Sequence, residues 1–195
     1  PHGWVKNTQM IEWIDHITDK HGGKVKFLSF REARERLTNN LLGGQALRAV
    51  NGQDNAVRLL DLNNDGFMDV VISNEHLRQT RVWDPQAERW NTSAFPVQLV
   101  QISDDGTRTD AGARFGILQP DGNASFFINN GSDNGIWHFD GETWVKDKAM
   151  LRGLEVLGQA LKTTDGNRDN GVRLRDTDND GICEIIVGNP NTQVV

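Results

Sequence analysis

A single cysteine, Cys183, rules out an intramolecular disulfide in this chain of 195 residues. No apolar run approaches the ~18 residues of a membrane span. No signal peptide is visible, although an internal fragment would not show one. No cluster or stripe of lysine and arginine is present to neutralise phosphates. The net charge is −6 and the pI near 5.3, which argues against a nucleic-acid partner. G-x-S-x-G, a P-loop and a dinucleotide fingerprint are all missing. His16, His21, His76 and His138 share no spacing that suggests a transition-metal site. What remains is glycine-rich, with 20 residues, as expected of an all-β, turn-rich body.

The chain does carry an acidic loop, and carries it twice. Asp61-Leu62-Asn63-Asn64-Asp65-Gly66-Phe67-Met68-Asp69 returns as Asp176-Thr177-Asp178-Asn179-Asp180-Gly181-Ile182-Cys183-Glu184. Side-chain oxygens at loop positions 1, 3, 5 and 9 can converge on one point. The backbone carbonyl of position 7, Phe67 or Ile182, can join them. Hard oxygen donors around a tight turn suit calcium, giving two expected sites. Much of the chain's acidity sits in these loops, where bound cations would offset it. The start resembles an EF-hand, but position 12 is Ile72 or Val187 where an EF-hand needs a bidentate Glu. The flanks, Val57-Arg58-Leu59-Leu60 and Val70-Val71-Ile72, read as strands. The loop is therefore expected to join two strands, with Asp69 or Glu184 closing the cage. The competing reading is a hairpin turn without metal, since Asp, Asn and Gly favour turns on their own.

The repetition extends beyond the loops. Asp54 to Leu59 aligns with Asp169 to Leu174, and Val57 to Asn74 aligns with a degenerate copy from Ala113 to Asn130. In that middle copy the ligand positions are Ile117, Gln119, Asp121 and Ser125, so it is expected to keep the hairpin and bind no metal. Arg58, Arg114 and Arg173 recur in all three copies, the metal-poor one included, which points to a structural role. Arg81 to Pro85 with Arg89-Trp90, and Trp137 to Gly141 with Thr143-Trp144, read as aromatic strand pairs around Asp-Pro and Asp-Gly turns. Each unit thus holds about four short strands, the logic of a propeller blade. Trp83, Trp90, Trp137 and Trp144 are expected in the core between blades, with stacking on a sugar ring as the lesser reading. Cys183 is expected to turn away from Glu184 as a small buried hydrophobe.

These loops, each followed by an apolar strand, resemble the FG-GAP or VCBS repeat over about residues 50–195. The resemblance implies β-propeller blades of the integrin-like kind. It carries calcium ligation to Asp61, Asn63, Asp65 and Asp69 and to Asp176, Asp178, Asp180 and Glu184. Units are expected at about 53–108, 109–165 and 166–195, the last truncated. Fewer than three blades cannot close a ring. A fragment of a longer protein, or pairing with other copies, is the corresponding expectation.

The first forty residues read differently. Thr8 to His21 is expected to be helical, with Met10, Ile11, Ile14 and Ile17 as an apolar stripe and Trp13 beside it. Asn7 or Thr8 would cap it and Gly22-Gly23 would end it. Lys24 to Leu28 reads as a strand. Ser29 and Glu32 form a capping box that opens a second helix to about Leu42. Helix, strand, helix is the tail of an α/β unit, and Pro1-His2-Gly3-Trp4, the Asn7-to-His21 helix and Lys24 to Ala33 together resemble the C-terminal end of a polysaccharide deacetylase-like domain over about residues 1–42. That family implies a distorted barrel that removes acyl groups from sugars with a divalent metal. Its Asp-Asp and His-x-x-x-His ligands have no counterpart here, so this chain is not expected to bind that metal. His2 matches its late general-acid histidine or lies beside it; the plain alternative is an ordinary terminal residue.

The expected fold is thus mainly β, a partial β-propeller behind an N-terminal helix-strand-helix segment. Two functions follow from it. One is a calcium-binding propeller segment acting as a binding or scaffold module of an extracellular carbohydrate-active protein. Its partners would be a polysaccharide, another protein or further blades, at an extracellular, periplasmic or cell-surface location. The other is part of a polysaccharide deacetylase whose main catalytic residues lie upstream.

Overall fold

The computed structural model describes residues 5–166, 168–190 and 192–194. His2 lies outside them. The chain divides into two compact units, Pro1–Gly43 and Gly44–Val195.

The first unit is helical. Helix α1, Asn7–His21, is capped one residue earlier than expected, by Lys6, whose N–H donates to Gln9 Oε1 at 2.9 Å. It ends at Gly22, whose φ of 52° suits a residue without Cβ. Its stripe is not a core: Met10, Ile11 and Trp13 are exposed, and Ile14 and Ile17 half-buried. Helix α2, Phe30–Glu35, opens on the expected capping box. Ser29 N–H donates to Glu32 Oε2 at 2.8 Å, and Glu32 N–H to Ser29 Oγ at 3.4 Å. The helix continues as a wider turn, Arg36–Leu41. The strand expected at Lys24–Leu28 is not formed. Gly22–Lys24 is a 3₁₀ turn, and the residues after it are extended without a ladder partner. β-propensity alone cannot make a strand where no second strand supplies hydrogen bonds.

The second unit is built from antiparallel meanders. Strands β1 (Val57–Leu60), β2 (Asp69–Ser73), β3 (Arg78–Asp84) and β4 (Arg89–Ser93) form the first sheet in chain order. A hairpin follows, β5 (Val100–Ile102) with β6 (Arg108–Asp110). Strands β7 (Arg114–Ile117), β8 (Ala124–Asn129), β9 (Asn134–Phe139) and β10 (Trp144–Asp147) form the second sheet. Two short hairpins come next, β11 (Glu155–Val156) with β12 (Gln159–Ala160) and β13 (Thr164–Asp165) with β14 (Arg168–Asp169). Strands β15 (Val172–Arg175), β16 (Glu184–Asn189) and β17 (Thr192–Val194) form the third sheet. No closed barrel or ring of sheets is present among the described residues.

The three sheets share one register. Arg58 lies opposite Val71, Arg114 opposite Phe127 and Arg173 opposite Ile186. The surrounding hydrogen bonds repeat too. Arg58, Arg114 and Arg173 pair with the Asp four residues earlier, at 2.7, 2.6 and 2.6 Å. Each of those Asp residues also accepts the N–H of Ala56, Gly112 or Gly171, which sit at positive φ before the first strand. Asn74, Asn130 and Asn189 donate to the carbonyls of Asn55, Ala111 and Asn170, tying the far end of the second strand to the entry of the first. The recurring arginines therefore serve the backbone frame.

Packing between sheets explains the sequence of β8. Its residues are buried on both faces. Phe126 and Ile128 join a cluster with Leu62, Val71, Val82 and Phe95, whereas Phe127 joins Val172, Leu174 and Val187. Each such aromatic contributes roughly 1.5–3 kcal/mol when fully buried. Trp137 and Trp144 are buried in the first cluster, as expected. Trp83 and Trp90 are only half-buried, which corrects their placement in the core. They face each other across β3 and β4 with centroids 5.2 Å apart, as Phe139 and Trp144 do across β9 and β10 at 5.3 Å. The strand pair fixes the ring contact, but only a neighbouring sheet determines burial.

Candidate metal centres

Each acidic loop joins the first two strands of its sheet. Register brings position 9 back beside the strand that led in: Leu60 lies opposite Asp69, Gly116 opposite Ser125 and Arg175 opposite Glu184. The turn itself is wound by side-chain oxygens. Asp61 accepts from Asp65 N–H at 3.1 Å and Gly66 N–H at 2.9 Å, and Asp65 from Phe67 N–H at 2.8 Å. In the third sheet Asp176 accepts from Gly181 N–H at 2.9 Å and Asp180 from Ile182 N–H at 2.7 Å. Gly66, Gly122 and Gly181 all take φ between 79° and 92°, the backbone turn for which glycine is suited.

The third-sheet loop brings ligands together. Carboxylate oxygens of Asp176, Asp178 and Glu184 lie within 4.8 Å of one another, the one such group of three among the described residues. Asp180 and Ile182 are outside that group, held by their own turn. Glu184 Oε2 accepts from Thr177 Oγ1 at 2.6 Å and Thr177 N–H at 2.8 Å, which holds its carboxyl below the usual range. Three hard oxygens converging on one point fit a divalent cation of the calcium kind.

The first loop is arranged differently. Asp69 is fully buried, and its two oxygens accept from Leu62 N–H at 2.9 Å and Trp83 N–H at 2.8 Å. Burial pushes its carboxyl up to about 6; the two N–H donors oppose this, and the Asp65 and Asp61 charges add to it. Asp61, Asp65 and Asp69 therefore do not form a group like that of the third sheet. Asn63 nonetheless supports the metal reading. Its Nδ2 donates to Asp65 Oδ2 at 3.0 Å, while its Oδ1 is buried without a partner. An orphaned amide oxygen at loop position 3 is a donor awaiting an acceptor of its lone pairs.

The middle loop contains a feature that sequence spacing did not reveal. His138 Nε2 lies 2.7 Å from Asp121 Oδ2, and His138 Nδ1 lies 3.1 Å from Ser125 Oγ. Asp, His and Ser in a row resemble a nucleophilic triad, but Ser125 is fully buried and no substrate can reach it. The signal was available: His138 aligns with Val82 of the first sheet, so a polar ring replaces an apolar side chain in one copy. Cys183 is half-buried rather than buried. Its N–H donates to the Ile117 carbonyl at 2.6 Å, and it packs against the cluster that includes Leu118, Leu174 and Val187.

A cleft of about 570 Å³ opens at the opposite end of the sheets, lined by Glu75, Gln98, Gln101, Asn130 and Asp133 among others. It is polar and carries no aromatic platform. No helix among the described residues is long and apolar enough to cross a membrane. No family model matches the chain, and neither a curated protein nor a solved structure matches it.

Proposed function

We propose that this chain is a calcium-stabilised segment of FG-GAP/VCBS-like β-propeller blades, serving as a binding or scaffold module of an extracellular carbohydrate-active protein. The observation that carries the reading is the convergence of Asp176, Asp178 and Glu184 in a loop that has a counterpart 115 residues earlier. Without a cation those carboxylates repel one another, and the turn bears the cost. With one bound, Asp176, Asp178 and Glu184 would hold it in the third sheet. In the first loop Asn63 Oδ1 and the Asp61 and Asp65 carboxylates would do so. Two four-stranded meanders and a three-stranded one, packed through shared apolar clusters, suit such blades.

The partner in this reading is a polysaccharide, another protein or further blades. The polar cleft at the far end of the sheets leaves that surface separate from the metal loops. Calcium titration of the metal-stripped chain, followed by calorimetry and near-UV dichroism, tests the proposal. Saturable binding at two sites with a change in the tryptophan bands is the expected result. Absence of binding at millimolar calcium sinks it.

A further inference from the structure

We infer that the His138 side chain takes the place of the cation in the middle loop, its ring joining position 5, where the first loop would offer a metal Asp65, to position 9, where the third would offer Glu184. The inference rests on the calcium reading of those outer loops. Asp121 stands at position 5, equivalent to Asp65 and Asp180. Ser125 stands at position 9, equivalent to Asp69 and Glu184. The imidazole lies between them, 2.7 Å from one and 3.1 Å from the other. An acceptor-only carboxylate requires Nε2 to donate, so the Asp121 charge meets an N–H where the first loop would offer Asp65 a metal. The Ser125 hydroxyl can donate to or accept from Nδ1, so this pair is satisfied with the ring neutral or charged.

The remaining substitutions in the loop fit the same exchange. Positions 1 and 3 are Ile117 and Gln119, and Gln119 Nε2 turns away to Asp147 Oδ2 at 3.4 Å. The first sheet has Val82 where His138 stands, and a valine can neutralise no carboxylate. Its loop keeps three acids instead. Backbone bonds link the three loops in series: Leu62 O accepts Ala124 N–H at 2.8 Å, and Ile117 O accepts Cys183 N–H at 2.6 Å. The middle loop stacks against the first closely enough that a Cβ on Gly122 would meet Asn64 at 2.6 Å. This loop sits between two others and cannot be left unwound, so a built-in donor secures it without metal.

The test uses the full chain and calcium alone, by isothermal calorimetry on three proteins. The first is the parent. The second restores the ligand set with Ile117→Asp, Gln119→Asn and Ser125→Asp and keeps His138. The third adds His138→Val. One more calcium site in the third than in the second is expected. An extra site already present in the second, or none in the third, overturns the inference. Loss of both sites from the parent would instead sink the calcium reading, and the comparison between the two variants would still stand. If the third protein does not fold, a cycle of His138→Val with Asp121→Asn decides the matter. His138→Val is expected to lower the folding equilibrium constant about tenfold, and much less when Asp121 is already Asn. Equal losses in both backgrounds overturn it.

Discussion

Trp144 of the second sheet donates its indole N–H to the Thr80 hydroxyl of the first at 2.8 Å, with both residues buried. The bond crosses the contact between the sheets, where Trp144 also meets Phe95 and Phe115 edge-on. Thr80→Val keeps the volume and leaves the indole N–H without a partner. A loss of about 1–3 kcal/mol is expected in urea unfolding. Adding Trp144→Phe should cost less than it does in the parent, because the orphaned donor is gone. Full additivity would show that the bond contributes nothing.

The three arginine pairs should rank by burial. The Arg114 side chain is 10% exposed, pairs with Asp110 and Asp169, and donates to Val172 O at 3.1 Å, linking the second sheet to the third. The Arg173 side chain is 47% exposed, pairs with Asp169 and donates to the carbonyl of the adjacent Val172 in its own strand. Arg114→Ala is expected to cost about 3 kcal/mol, since it strands a partly buried charge network. Arg173→Ala should cost under about 1 kcal/mol. Equal effects in denaturant titrations would contradict the structural role given to the inner arginine.

Asp69 sets a pH dependence in calcium-free protein. Its folded carboxyl titrates near 6, against 3.8 for an ordinary aspartate. The folded state therefore binds more protons than the unfolded state between those values. Its contribution is fully present below about pH 4 and is lost as pH rises through about 6, on the order of 3 kcal/mol. Asp169 acts in the opposite direction: the Arg173 hydrogen bond holds its carboxyl low, so its contribution is lost as pH falls. Urea midpoints with chelator at pH 4.5 and 7 should differ less in Asp69→Asn than in the parent. An unchanged difference would show that Asp69 does not titrate in this window.

What could be read from the residues was local or periodic. The spacing between the repeats gave the register, because Arg58, Arg114 and Arg173 each face the residue that alignment places opposite. Asp84-Pro85 and Asp140-Gly141 gave the turns, since a carboxylate can cap two N–H groups within three residues. Ser29 with Glu32 gave the start of α2 for the same reason. What could not be read depends on distant partners. Lys24 to Leu28 has strand chemistry and no strand to pair with. Trp83 and Trp90 look like Phe139 and Trp144 until a neighbouring sheet covers one pair. The β5–β6 hairpin has no repeat to announce it. The contact of His138 with Asp121 spans 17 residues, so no motif spacing points to it.

The two acidic loops should differ in affinity, with the third-sheet loop binding calcium more tightly. Charge favours it: Asp176, Asp178, Asp180 and Glu184 are four acids, whereas Asp61, Asp65 and Asp69 are three with neutral Asn63. Geometry favours it as well. Three carboxylates already converge there, while the buried Asp69 carboxylate of the first loop lies outside any such group, held by the Leu62 and Trp83 N–H groups. Calcium binding is measured separately in Asp65→Ala, which retains the third-sheet loop, and in Asp178→Ala, which retains the first. Tighter binding in Asp65→Ala is expected. The reverse order would mean that preorganised carboxylates are not what sets affinity here. Native-state binding should also raise parent stability by about 4 kcal/mol once calcium is ~1,000-fold above Kd. A melting temperature indifferent to chelation would remove calcium from the account of this fold altogether.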